Sequence, residues 1–128
     1  MRTHWATSKG RFQLKIGERM DIVSMAIQGN TTKLAAMNLV EGLVSVLGMS
    51  PAHESICYDY PVNNAGGKGF TFIAPITESF IAFDAWPDFN GAYLVICSCK
   101  TISLNKVNKK VRAHGYEIMD NNAHELSL

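Results

Sequence analysis

Residues 11 to 16 alternate Arg-Phe-Gln-Leu-Lys-Ile, which puts Phe12, Leu14 and Ile16 on one face of a half-buried strand. The pattern blurs after Gly17. It recovers at Asn30-Thr31-Thr32, a cap that introduces Leu34, Met37, Val40, Leu43, Val44 and Leu47 at the spacing of one helical face. Gly48 and Pro51 stop that helix. A strand is expected over 55 to 62, ending at Pro61. The turn cluster Asn63-Asn64-Ala65-Gly66-Gly67 joins it to a second strand over 69 to 76 as a hairpin. Segments 79 to 85 and 92 to 99 read as two more strands, separated by the turn formers and rings of Trp86-Pro87-Asp88-Phe89-Asn90-Gly91. Ser103 caps a second helix carrying Leu104, Val107 and Val111, and Gly115 lies past its end. A last strand over 116 to 119 and a polar tail complete the order.

Four adjacent strands between two helix-bearing ends imply an α+β fold, a two-layer sandwich of an antiparallel sheet with both helices on one face. The other face then needs a cover. With 128 residues the chain fits one domain, 1–128, short for an enzyme that must enclose a substrate alone, so a site shared within a homodimer suits it.

Charge changes the picture mainly by exclusion. The formal net charge is +1, with 18% charged and 47% hydrophobic residues, which gives no electrostatic footprint for nucleic acid and no disordered composition. No apolar run approaches the ~20 residues that span a bilayer, and Met1-Arg2-Thr3-His4-Trp5 lacks the apolar core of a signal peptide. A cytoplasmic protein without a membrane partner is expected. The three cysteines, Cys57, Cys97 and Cys99, and the scattered histidines form no paired motif of the spacing zinc prefers, so no metal is expected. The cations Lys106, Lys109, Lys110 and Arg112 read as a solvated helix face.

The chemistry concentrates in one stretch. Glu78-Ser79 is followed after four residues by Asp84, then by Trp86-Pro87-Asp88, with Cys99 twenty positions after the serine. This run resembles the self-cleavage segment of bacterial S-adenosylmethionine decarboxylase proenzymes, and the likeness extends over roughly residues 10 to 119. The resemblance implies two such protomers paired as a four-layer αββα dimer. It also implies that Ser79 attacks the carbonyl of Glu78 to give an ester, and that elimination and hydrolysis leave a pyruvoyl group at the start of a 79 to 128 fragment. That group would form a Schiff base with a substrate amine and act as electron sink for decarboxylation.

Further roles follow from the same resemblance. Thr71, eight residues before Ser79, stands where the family has a serine whose hydroxyl assists processing. Asp84 stands where the family has a histidine acting as base, and Phe80 where it has another histidine. Burial of Asp84 among Phe83, Ile81 and Trp86 is expected to suit it to the proton transfer. Cys99 matches the cysteine that returns a proton to the substrate carbon. Trp86 and Asp88 lie close to the nucleoside site, where an aromatic face stacks on adenine or attracts a sulfonium and an acid accepts from ribose hydroxyls. Tyr58, Tyr60 and Phe80 are further aromatic candidates.

Each of these residues also has an ordinary reading: a polar strand start, a β-branched strand residue, a structural carboxylate, a buried thiol, aromatic packing. Alternation adds a constraint. Ser79 and Asp84 are five apart and so point to opposite faces of an unbroken strand, and a site containing both requires a bulge or break between them. The expected function is pyruvoyl-dependent decarboxylation of S-adenosylmethionine in spermidine and polyamine synthesis. The alternatives are a pyruvoyl enzyme acting on ornithine or arginine, and an uncleaved, non-catalytic homologue that binds a nucleoside or partners an active enzyme.

Overall fold

Segment 19–28, where the sequence pattern blurs, is a strand and lies inside the sheet. The computed structural model describes residues 19–60, 69–77 and 79–127. The strand expected over 11 to 16, the turn expected over 63 to 67, and Glu78 lie outside the described residues. In chain order the elements are β1 (Arg19–Gln28), α1 (Lys33–Val46), β2 (Ile56–Asp59), β3 (Phe70–Ile76), β4 (Ser79–Trp86), a 3-10 turn (Pro87–Phe89), β5 (Gly91–Ser98), α2 (Leu104–Ala113) and β6 (Glu117–Ser127). The strands form one antiparallel sheet in the order β2-β3-β4-β5-β1-β6. No helix among the described residues is long and apolar enough to cross a membrane.

Two expectations about strands are corrected. β1 was missed because it is paired on both sides, by β5 and β6. Val23, Met25 and Ile27 are buried on one face while Ile22, Ser24 and Ala26 are half-buried on the other. Apolar residues on both faces erase the alternation that marks a half-buried strand. The polar tail is also a strand. β6 runs to Ser127, pairs with β1 along its length with one register shift at Ala26/Ile27, and buries almost none of its side chains. Backbone pairing holds it, helped by Arg19 Nη1 at 3.1 Å from Glu125 Oε2.

Both helices pack on the same face of the sheet. Thr32 caps α1 by accepting from the backbone N–H of Ala35 at 3.2 Å, and Ser103 caps α2 by accepting from that of Lys106 at 3.2 Å. α2 buries Val107 and Val111 as its spacing predicts. α1 buries Ala36, Leu39, Val40 and Leu43, whereas Leu34 and Met37, expected on the core face, point to its open rim. Between the layers Phe83 is fully buried, stacking on Phe70 and meeting Tyr116 edge-on, with centroids 6.2 and 6.1 Å away. Side chains of this size contribute roughly 1.5–3 kcal/mol each on burial.

No helix among those described covers the second sheet face. Ile56, Tyr58, Phe80, Trp86 and Tyr93 lie on it, with exposures between 40% for Phe80 and 58% for Tyr58.

Candidate active site

β4 carries the chemistry of this chain, and its neighbours decide where each side chain goes. It pairs with β3 from Ile76↔Ser79 to Phe70↔Ala85, and with β5 from Ser79↔Ser98 to Trp86↔Gly91, in unbroken register. Strict alternation follows. Ile81, Phe83 and Ala85 enter the core, and Phe80, Ala82, Asp84 and Trp86 take the open face. Asp84 therefore does not lie among Ile81 and Phe83 as the sequence suggests, because those two occupy the opposite face. Trp86 does share its side.

Around Asp84 three residues from three segments converge. Register sets Thr71 directly opposite Asp84, and the Thr71 hydroxyl donates to Asp84 Oδ1 at 2.8 Å. The indole Nε1 of Trp86, two residues along the same face, donates to Asp84 Oδ2 at 3.0 Å. Tyr60, just past β2, brings its phenol against both Asp84 Oδ1 and the Thr71 hydroxyl. Burial, then the hydrogen bond to Asp84, pushes the Tyr60 phenol above its ordinary range. The carboxylate thus accepts on both oxygens, three of its about four acceptor positions being used.

Ser79 lies at the other end of β4. It opens the strand after a two-residue turn, half-buried, and its hydroxyl donates to the Thr77 carbonyl at 3.0 Å. Asp84 lies five steps along the strand from it, about 17 Å at ~3.4 Å per residue. The bulge or break that a site shared within one chain requires is not there. Phe80 faces Cys97 across β5 and Pro75 across β3 on the open face. β5 ends at Ser98, so Cys99 falls one position past the residue opposite Ser79, at the Ser79 end of the sheet. Cys97 is half-buried, and burial pushes its thiol up.

The remaining candidates sit near the Asp84 end. Tyr58 stands opposite Thr71 and is exposed. Trp86 and the 3-10 turn holding Asp88 lead into Asn90, whose φ of 51° is left-handed, and Gly91. A cavity of about 310 Å³ opens there on Trp86, Phe89, Tyr93 and Met119. The structure therefore assembles Tyr60, Thr71, Asp84 and Trp86 at one end and Ser79, Phe80 and Cys99 at the other.

The sequence marks Tyr60 as an aromatic ring and gives no role to its hydroxyl. A usable signal was the glycine across the hairpin. Tyr60 N donates to Gly69 O at 2.9 Å, and a Cβ at Gly69 would stand 2.6 Å from Tyr60 Cδ2 and 2.7 Å from the Ala85 carbonyl oxygen. The absent side chain is what lets the ring lie across β3 toward Asp84.

No protein-family model and no curated protein sequence matches the chain. Solved structures do match, among them the adenosylmethionine decarboxylase from Aquifex aeolicus VF5. The TM-score is 0.63 at 14% identity, covering 88% of this chain and 92% of that one. At that identity the likeness is one of fold: an antiparallel six-stranded sheet with two helices, α+β, of the kind seen in that decarboxylase.

Proposed function

We propose that this chain is a decarboxylase of the S-adenosylmethionine type, processed by its own Ser79 and working as a two-fold pair. The observation that carries this reading is Ser79 at the first position of β4, directly after Glu78 in the sequence, in a fold shared with an adenosylmethionine decarboxylase. Ser79 forms the terminal pair of both ladders, so a break before it leaves the pairs from Phe80 onward in place. The position also fits a chain-derived group, since Ser79 is half-buried and the first residue of its strand. A pyruvoyl group made from Ser79 would supply the electron sink that decarboxylation needs.

The separation of Ser79 from Asp84 supports the pairing. Two sheets stacked on their open faces about a two-fold axis lying across the strands bring the Ser79 end of one protomer over the Asp84 end of the other. Thr71 and Asp84 of one chain then lie over the strand end of its partner that carries Phe80 and Cys99 and, on its helix-facing side, Ser79. The exposed apolar side chains of the open face favour such a cover. Trp86, Asp88 and the Asp84 carboxylate offer a sulfonium or amine substrate aromatic and anionic contacts.

The same separation also favours the rival reading, an uncleaved homologue that binds a ligand without catalysis. Intact mass under denaturing conditions decides between them. The proposal expects fragments 1–78 and 79–128, the second without a free amine, and a single chain for Ser79→Ala. It further expects Cys99→Ala to be cleaved but inactive toward S-adenosylmethionine, and Cys97→Ala to keep both steps. Wild-type protein that stays full length after prolonged incubation removes the enzyme reading. Cleaved protein that releases carbon dioxide from ornithine or arginine instead changes the substrate.

A further inference from the structure

We infer that Tyr60 is a positioning residue whose phenol fixes the Asp84 carboxylate and, through it, the Thr71 hydroxyl and the Trp86 indole as one unit. Tyr60 comes from outside the β3–β4 pair, so its bonds tie the pair to a third segment. Its seat is made for it by Gly69, where any Cβ would collide with the ring. Both carboxylate oxygens are engaged: Oδ1 accepts from Thr71 and Tyr60, and Oδ2 accepts from Trp86. A rotation of the carboxylate therefore breaks bonds on both sides, and loosening Oδ1 loosens the hold of Oδ2 on the indole.

The rings of Tyr60 and Trp86 are 6.2 Å apart and tilted by 48°, and no hydrogen bond joins phenol to indole among the described residues. An effect of the Tyr60 hydroxyl on Trp86 must pass through Asp84. Ring packing alone would survive replacement of the tyrosine by phenylalanine, and this separates positioning from a merely structural role.

The test uses Trp86 as its own reporter. The chain has two tryptophans, Trp5 and Trp86, so Trp5→Phe leaves Trp86 as the single tryptophan, excited selectively over the tyrosines at the red edge of the absorption band. In that background acrylamide quenching is measured for Tyr60→Phe, Asp84→Asn and the double variant. Both single changes should raise quenching, and the double variant should match Asp84→Asn alone. Gly69→Ala, which unseats the ring, should reproduce Tyr60→Phe. Quenching in Tyr60→Phe equal to the parent, or an effect that adds in full to that of Asp84→Asn, overturns the inference.

A catalytic arm rests on the proposed self-processing. There Tyr60→Phe should slow appearance of the 79–128 fragment about tenfold, the scale of one lost hydrogen bond to a charged group, and an unchanged rate overturns the positioning role in that reaction. If the wild type does not cleave, the functional proposal fails while quenching still decides the role of Tyr60.

Discussion

The two faces of this sheet are built from the same strands by alternation, yet they are finished in different ways. On the helix side Val23, Ile27, Ile81, Phe83, Leu94 and Ile96 are at most 2% exposed. On the other side Ile56, Tyr58, Phe80, Trp86 and Tyr93 stand at 40% or more. Open faces of antiparallel sheets are ordinarily polar. Here five large side chains resemble those of a core, and polar groups gather at the Tyr60–Thr71–Asp84–Trp86 cluster and along β6, where Asp120, Asn122 and His124 take the same face. The difference teaches that the helix face accounts for folding, while the open face leaves apolar side chains exposed for the proposed pairing to cover.

The contrast breaks or sharpens under substitution. Phe83→Ala should cost about 3–5 kcal/mol, as for large aromatic truncations in packed cores, whereas Phe80→Ala should cost the isolated fold under ~1 kcal/mol. Urea unfolding at low protein concentration measures both. Equal losses would mean that the open face is already part of a core.

A charge on the open face should act on assembly more than on folding. Tyr93→Glu should weaken self-association by about 100-fold, the scale of a central interface residue, with little change in the unfolding midpoint of the monomer. Sedimentation velocity over a dilution series reads this. A protein that is monomeric at every concentration before substitution removes the pairing.

The smallest effect expected is alkaline. Burial and the bond to Asp84 raise the folded-state value of Tyr60, and burial raises that of Tyr116. Raised acids favour the protonated fold, so their contribution is fully present below the ordinary tyrosine value of ~10 and is lost as pH climbs above it. Melting temperature should therefore fall as pH rises above about 10, and Tyr60→Phe should make the fall shallower. A parallel curve for the variant would detach the Tyr60 ionisation from stability.

How much of this was legible in the sequence depended on how each element buries itself. α2 could be read to the residue because one narrow stripe, Val107 and Val111, goes inward between a serine cap and a glycine stop. β4 and β5 were legible because one face is fully buried. β1 was not, since both of its faces carry apolar groups, and β6 was legible only at its start, since past the half-buried Ile118 its side chains stay exposed and leave no period. On α1 the cap was legible but the inward face was only half so, since nothing in the chain shows that Leu34 and Met37 overhang an uncovered rim. The opposition of Ser79 and Asp84 followed from counting residues. The opposition of Thr71 and Asp84 did not, because it depends on the exact register of a hairpin. Tyr60 was hidden for a related reason: its reach depends on the glycine across from it.

The strand order has a consequence for a chain cut between Glu78 and Ser79. Residues up to the cut supply β1, β2 and β3, and those after it supply β4, β5 and β6, so across the sheet the pieces run first, first, second, second, first, second. β1 of the first piece is wedged between β5 and β6 of the second. The two pieces are threaded through one another rather than laid side by side, and neither can leave without unzipping three ladders, β3–β4, β5–β1 and β1–β6. A nicked molecule should therefore travel as one particle through gel filtration and come apart only in denaturant, behaving as a complemented pair of peptides.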